Sequence, residues 1–178
     1  MDRAGDIDIP DLADGIAPSE SHARYKPRLN PYHAAPAMMK AVAALEAVVQ
    51  SGGLEQSLVE LVKTRASQIN GCAYCLHMHT RDARAGGESE ARLYLLDAWR
   101  ESSLYTDRER AALAWTEAVT LVAQTHVPGD VYNDVHEHFG DEELVKLTLL
   151  VAMINVWNRI AISFRSVHPV DAKAAVPK

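Results

Sequence analysis

The chain has 178 residues, of which 48% are hydrophobic and 24% are charged, and its formal net charge is −6. This length fits one domain that buries a core without disulfides, and the composition excludes a disordered chain. The acidic balance and the scattered basic residues argue against nucleic acid as a partner. No stretch reaches the roughly 18 to 20 continuous apolar residues of a membrane span, and the acidic N-terminus lacks the apolar region of a signal peptide. We therefore expect a cytoplasmic protein that binds no membrane.

The two ends of the chain differ from its middle. Residues 1–30 carry three prolines among acidic and small residues and show little periodicity, so we expect an extended N-terminal arm. Residues 169–178 follow a His-Pro pair and are expected to form a loose tail. Residues 31–168 are predicted to form the single folded domain.

The middle of the chain shows helical periodicity, and no stretch alternates with the period of a strand. Glycines, prolines and capping residues separate the periodic segments. The predicted helices run, in chain order, from Ala37 to the stop at Gly52-Gly53, from Leu54 to Ile69, from Cys72 to Gly86-Gly87, from Ser89 to Arg100, from Thr106 to Gln124, from Pro128 to Phe139-Gly140, and from Asp141, as its cap, to Phe164. The sequence thus predicts an all-α bundle of about seven helices.

The last predicted helix is apolar around nearly its whole circumference. Such a helix lies either at the centre of its domain or against another subunit. Because a chain of this length has little room to bury a helix completely, we expect a homo-oligomer. A central core helix in a monomer is the alternative.

Two cysteines and a histidine form the group that carries chemistry. On a helix that advances about 100° per residue, Cys72, Cys75 and His79 share one face, whereas His77 lies on the far side. A structural disulfide normally closes a long loop, and this pair cannot. In a reducing compartment, a pair this close indicates either a metal site or a redox-active dithiol.

The turn signal Asn70-Gly71 places the cysteines in the first turns of a new helix. The exposed N–H groups and the helix dipole at that position favour a thiolate, the form that attacks a peroxide or a disulfide. His79, one turn after Cys75, is placed to accept the thiol proton as a general base. Glu60, on the preceding helix, is the candidate for orienting that base.

Zinc is the alternative ligand for the cysteines. A zinc site needs four ligands, usually drawn from separated pairs, and this helix offers Cys72, Cys75 and His79. Haem attachment would need a histidine directly after Cys75, where Leu76 stands. We therefore expect neither a bound metal nor a cofactor.

At these positions the sequence resembles the alkylhydroperoxidase D-like proteins of the carboxymuconolactone decarboxylase superfamily. The resemblance covers about residues 30–168 and is carried by Glu60, Lys63–Ala66, Asn70-Gly71-Cys72, Cys75, His79, Gly86 and Asn155–Arg159. It implies an all-α bundle that assembles as a homo-trimer or homo-hexamer, which agrees with the apolar last helix.

The resemblance also implies that the protein is an enzyme that reduces hydroperoxides. Cys75 would be the peroxidatic thiol, and Cys72 would resolve its sulfenic acid as a disulfide and could donate a proton to the leaving alkoxide. His79 and Glu60 would form the proton relay. The implied partners are a small hydroperoxide as substrate and an external dithiol or lipoyl-type group as reductant.

Two features leave the details of this chemistry open. Helix-dipole reasoning favours Cys72, nearest the helix start, as the more readily ionised thiol, whereas the resemblance assigns Cys75 as the nucleophile. The family's peroxidase has a histidine directly before the second cysteine, where this chain has Tyr74, and a tyrosine cannot shuttle protons near neutral pH. Two other functions stay open: a redox sensor or disulfide oxidoreductase without efficient peroxide turnover, and a lactone decarboxylase-type enzyme, against which the cysteines argue.

Overall fold

The computed structural model describes residues 26–169, and within that range it contains nine α-helices, one 3₁₀-helix and no strand. The all-α prediction is confirmed. The helices are α1 (Pro31–Ala34), α2 (Pro36–Gln50), α3 (Gln56–Asn70), α4 (Ala73–Ala85), α5 (Glu90–Leu95), the 3₁₀-helix (Leu96–Glu101), α6 (Asp107–Thr120), α7 (Val122–Thr125), α8 (Gly129–His138) and α9 (Asp141–Phe164). The predicted arm lies outside the described residues up to residue 25, and so does the predicted tail from residue 170 onward.

All seven predicted helical segments are present, but two of them are broken. The segment predicted as one helix to Arg100 changes to a 3₁₀-helix at Leu96. The guanidinium of Arg110 on α6 donates to the carbonyls of Trp99, Arg100 and Ser102, so a contact from another helix satisfies the end of this segment. Tertiary hydrogen bonds therefore override the local helical pattern.

The segment predicted to continue to Gln124 breaks at Leu121, which separates α6 from α7. The hydroxyl of Thr125 donates to the carbonyl of Ala118 at 2.7 Å. In a continuous helix that carbonyl would accept from the backbone N–H of Val122. The predicted capping box at the start of α6 is confirmed, because the Thr106 side chain and Glu109 satisfy each other's backbone N–H groups.

Two further helix starts differ from the prediction. The short helix α1 was not predicted, although Pro31 at its first turn and the Asn30 side chain, which accepts from two backbone N–H groups, are ordinary start signals. Gly140, and not Asp141, is the N-cap of α9.

The long helix α9 lies at the centre of the fold and packs against α2, α3, α4, α6 and α8. Its inward side includes Leu147, Leu150 and Ile154, which are fully buried. Its outward side still exposes Val145 and Leu149. The helix is thus central in the domain and also apolar where this chain leaves it uncovered.

By length and composition alone α9 could also cross a membrane. Its buried side carries two asparagines, however, and both are hydrogen-bonded to α3. The amide of Asn70 donates to the side-chain oxygens of Asn155 and Asn158. These packed polar contacts, together with its other buried residues, make α9 a core helix of the described fold.

Candidate active site

The cysteines lie at the corner between α3 and α4. Gly71 ends α3 with φ of 67°, a left-handed conformation that favours glycine because other residues would be strained there. The chain then turns so that the Cys72 N–H donates to the Ser67 carbonyl at 3.0 Å. Cys72 becomes the N-cap of α4, and its Sγ accepts from the Cys75 backbone N–H at 3.4 Å. The predicted placement of both cysteines at a helix start is confirmed.

Cys72 and Cys75 are joined as a disulfide, with their Cα atoms 5.4 Å apart. Their exposed fractions are only 1% and 2%. The structure therefore contains the oxidised pair, closed within a single helical turn and shielded from bulk water.

Glu60 and His79 meet beside the cysteines, as the sequence predicted. Nδ1 of His79 lies 2.9 Å from Oε2 of Glu60, and both residues are about 5% exposed. The other carboxylate oxygen accepts from the side-chain amide of Gln56 at 2.8 Å. Because an ionised carboxylate only accepts hydrogen bonds, it holds the proton on Nδ1 and leaves Nε2 of the neutral ring as an acceptor. This arrangement suits a base one turn from Cys75.

The neighbouring histidine, His77, lies away from this group, as the helical geometry predicted. Its ring stacks on His168 with centroids 5.1 Å apart. It also lines a separate surface cavity together with Thr80 and Arg81. His77 therefore has no part in the Glu60–His79 pair.

A cavity of about 310 Å³ opens onto Cys75. Helix α4 contributes Tyr74 and Met78 to its wall, and α9 contributes Trp157 and Phe164. The described residues that line this cavity include neither Cys72 nor His79. Of the two cysteines, Cys75 is the one that lines this cavity.

The sequence reasoning did not foresee the asparagine network that holds this corner. The Asn70 side chain bridges to Asn155 and Asn158 on α9, and the Asn158 amide donates to the Ser67 hydroxyl at 3.1 Å. Arg159 donates in turn to the Asn155 side-chain oxygen at 2.8 Å. The Asn155–Arg159 motif, noticed only through the family resemblance, therefore clamps the turn that precedes the cysteines.

A second unforeseen network surrounds Lys63, which is 4% exposed. Its ammonium donates to Glu46 at 2.6 Å and to Gln50 at 2.7 Å. The other carboxylate oxygen of Glu46 accepts from the Trp157 indole at 3.0 Å. These contacts join α2, α3 and α9 and hold one wall of the cavity. The available signal was the position of Lys63 one turn after Glu60.

No group of three or more His, Cys, Asp or Glu side chains within residues 26–169 is arranged to hold a metal ion. In this structure Cys72 and Cys75 form a disulfide, and His79 is hydrogen-bonded to Glu60.

The carboxymuconolactone decarboxylase family matches residues 36–118, from the first residue of α2 nearly to the end of α6. The matched region contains Glu60, both cysteines and His79. This chain belongs to that family. The predicted family membership is confirmed.

The relatives of this chain agree with the family and with the fold. The Bacillus subtilis protein YdfG, which is uncharacterised, is 43% identical over 136 residues, 76% of this chain and 92% of YdfG. A crystal structure from Agrobacterium tumefaciens, of unknown function and described as a candidate antioxidant defence protein AhpD, is 51% identical, with a TM-score of 0.80, and covers 82% of this chain and 100% of its own. An uncharacterised peroxidase-related protein from Ralstonia eutropha, described as an AhpD core, shares the fold at 22% identity and a TM-score of 0.69, over 90% of this chain and 87% of its own.

Proposed function

We propose that this protein is a thiol-dependent peroxidase that reduces organic hydroperoxides through a dithiol–disulfide cycle of Cys72 and Cys75. The observation that carries the proposal is the position of Cys75. Cys75 lines an apolar cavity and is joined to Cys72. His79, which is hydrogen-bonded to Glu60, lies one helical turn after Cys75.

In the first step His79 takes the proton of the Cys75 thiol, and the thiolate attacks the terminal oxygen of the hydroperoxide. The O–O bond breaks, a sulfenic acid forms on Cys75, and the alkoxide leaves and takes a proton to become the alcohol. Glu60 stabilises the imidazolium that forms, because its carboxylate already accepts the Nδ1 hydrogen bond.

In the second step the Cys72 thiolate attacks the sulfur of the sulfenic acid. A disulfide forms, and the hydroxide leaves with a proton as water. An external dithiol or lipoyl-type group then exchanges with the disulfide and is itself oxidised. One cycle thus converts one hydroperoxide and one dithiol into an alcohol, water and a disulfide.

This division of roles accommodates the opposing expectation from the helix dipole. The Cys75 N–H points at the Cys72 sulfur, which favours a thiolate there. A resolving cysteine needs that thiolate in the second step. Access to the cavity argues for Cys75 in the first step.

Tyr74, which stands where the family's peroxidase has a histidine, is half-buried and lines the cavity. In this proposal Tyr74 shapes the substrate pocket, and Glu60 and His79 alone move the proton. The relay is therefore shorter than that of the family's peroxidase, which has a histidine where this chain has Tyr74.

The deciding experiment counts free thiols on the reduced protein before and after one equivalent of cumene hydroperoxide, with the alcohol product measured alongside. We expect loss of both thiols and one equivalent of cumyl alcohol. Unchanged thiols would contradict the proposal. Oxidation followed by no further turnover with excess dihydrolipoamide would instead favour the redox-sensor alternative. Conversion of a lactone by a variant lacking both cysteines would favour the decarboxylase alternative.

The proposal includes a cytoplasmic homo-trimer or homo-hexamer. Helix α2 buries only Met39 in this chain and exposes Met38 and Val48, and α9 adds exposed Val145 and Leu149. Apolar stripes of this kind fit contacts with further copies. Light scattering should show that Val48→Glu lowers the molecular mass of the assembly, whereas Lys40→Glu, a charge change on the same helix, leaves the mass unchanged.

A further inference from the structure

We propose that residues 27–32 are the specificity wall of the Cys75 cavity and select small, uncharged, apolar hydroperoxides, above all alkyl hydroperoxides that carry an aromatic ring. This inference rests on the proposed peroxidase function and extends it to the substrate class. The segment lies before the family match, which begins at residue 36, and contributes Pro27, Leu29 and Tyr32 to the cavity.

The segment is tied at its first end to the last turn of α9. The Arg28 backbone N–H donates to the Phe164 carbonyl at 3.0 Å, and the Arg28 guanidinium donates to the Ser163 carbonyl at 3.1 Å. These carbonyls belong to the helix end that lacks partners within the helix, and a cation is favoured there. Arg28 therefore holds the segment across the cavity.

The segment is tied at its second end by the start of α1. The Asn30 side chain accepts from the backbone N–H groups of Tyr32 and His33, and Pro31 begins the helix. Leu29 lies between Arg28 and Asn30 and lines the cavity. The attachment of Arg28 to α9 and the local cap by Asn30 together reduce the freedom of this wall before a substrate binds.

The cavity suits an uncharged apolar molecule. Among the described residues that line it there is no Asp, Glu, Lys, Arg or His, and aromatic side chains come from three parts of the chain, at Tyr32, Tyr74 and Trp157. An ionised group of a substrate would lose its water there without gaining an opposite charge. The volume of about 310 Å³ lies at the lower end of the range for small-molecule pockets.

The wall should matter in proportion to the size of the substrate. A hydroperoxide with an aromatic ring would contact the wall residues Leu29 and Tyr32 when its terminal oxygen reaches the Cys75 sulfur, because all three residues line the same cavity. Hydrogen peroxide carries the same O–O bond but leaves that space empty. Loosening the wall therefore lowers the ratio of the two reactivities, whereas damage to the thiol chemistry lowers both together.

The test measures kcat/KM for cumene hydroperoxide, for its 4-carboxylate derivative and for hydrogen peroxide, in wild-type protein and in Arg28→Ala, Leu29→Ala and Lys26→Ala. We expect the wild type to prefer cumene hydroperoxide over the carboxylate by about tenfold or more, the discrimination typical of a hydrophobic pocket. Arg28→Ala and Leu29→Ala should lower the cumene-to-peroxide ratio by about three- to tenfold. Lys26→Ala removes a nearby exposed charge and should leave that ratio unchanged.

A binding measurement separates failure of this proposal from failure of the peroxidase function. Cumyl alcohol, the product, is titrated into Cys75→Ser protein while tryptophan fluorescence is followed, since one of the three tryptophans, Trp157, lines the cavity and this readout needs no turnover. We expect saturable binding that Arg28→Ala weakens. Equal losses for cumene hydroperoxide and hydrogen peroxide in the wall variants, or no binding of cumyl alcohol, would overturn the specificity wall. Absence of turnover with every hydroperoxide, despite binding, would overturn the peroxidase function and, with it, the substrate class.

Discussion

Two regions of this molecule keep their polar side chains in place by different means. At the cysteine corner, neutral amides make most of the polar contacts, with Asn70, Asn155 and Asn158 joining α3 to α9. Around α5, the 3₁₀-helix and α6, arginine–carboxylate pairs do so, among them Arg65–Glu117 and Arg92–Glu109. The hydrogen bonds of neutral amides do not depend on pH, whereas ion pairs do. The amide network that joins α3 to α9 at this corner is therefore independent of the changes in protonation that loosen the other region.

The largest effect should come from the corner itself. Cys75→Ser removes the proposed attacking sulfur, so peroxide reduction should fall to background, as followed by loss of cumene hydroperoxide with dihydrolipoamide as reductant. Serine is close in shape to cysteine, so the variant should keep the helical content of the wild type by circular dichroism.

The matched variant Cys72→Ser keeps the attacking sulfur and removes the resolving one. It should complete one turnover and leave a sulfenic acid on Cys75, which dimedone labels. Retained multiple turnover in Cys75→Ser, or labelling of Cys72 in place of Cys75, would reverse the assignment of the two thiols.

Glu60→Gln tests the carboxylate that contacts His79. The variant keeps a side chain of the same shape beside His79 but loses the charge that stabilises the imidazolium. We expect the rate of thiol oxidation by peroxide to fall by about 100-fold, the lower range for general acid–base catalysis. Unchanged helicity by circular dichroism would show that the loss is chemical. An unchanged rate would remove Glu60 from the relay.

Asn158→Ala tests whether the amide network holds the corner. Asn158 is fully buried, and its loss removes one hydrogen bond from the Asn70 amide and the one that the Ser67 hydroxyl accepts. We expect the free energy of unfolding to fall by about 1–3 kcal/mol, measured by urea denaturation. Thr64→Val is the matched control, because the Thr64 hydroxyl is buried without a hydrogen-bond partner among the described residues. A cost for Thr64→Val as large as that for Asn158→Ala would contradict the assigned role of the network.

The smallest expected effect is the pH dependence of the ion-paired region. Burial raises the pKa of Glu117, but hydrogen bonds from Trp99 and Arg100 outweigh burial and hold it below the usual 4.5. A carboxyl group with a lowered pKa in the folded state stabilises the protein above its unfolded-state pKa, and this stabilisation is lost as the pH falls through the folded-state value.

Urea denaturation at pH 7 and at successively lower pH below 4.5 checks this expectation. The wild-type free energy of unfolding should fall on acidification, and Glu117→Gln should show a shallower fall. The cost of Asn158→Ala should stay the same at each pH. A cost that changes with pH would break the distinction between the two regions.

Much of the cysteine corner could be predicted from the chain alone, because its determinants are local. Gly71 ends α3, the spacing of Cys72 and Cys75 fits one helical turn, and His79 follows on the same face. The contact between Glu60 and His79 was also predictable, since two helices joined by a short turn must pack against each other. The breaks at Leu96 and Leu121 could not be predicted from the local pattern. Near these breaks the Arg110 guanidinium and the Thr125 hydroxyl donate to backbone carbonyls in place of helical N–H groups.

The sequence by itself determined the all-α class, the order of the main helices and the face that the two cysteines share with the histidine, because periodicity, capping and turn signals act over a few residues. Only the tertiary structure decided which cysteine meets the cavity. That cavity is closed by Leu29 from before the first helices, Tyr74 from α4 and Trp157 from α9. Residues so far apart in the chain meet only when the helices pack, and no local pattern records that packing.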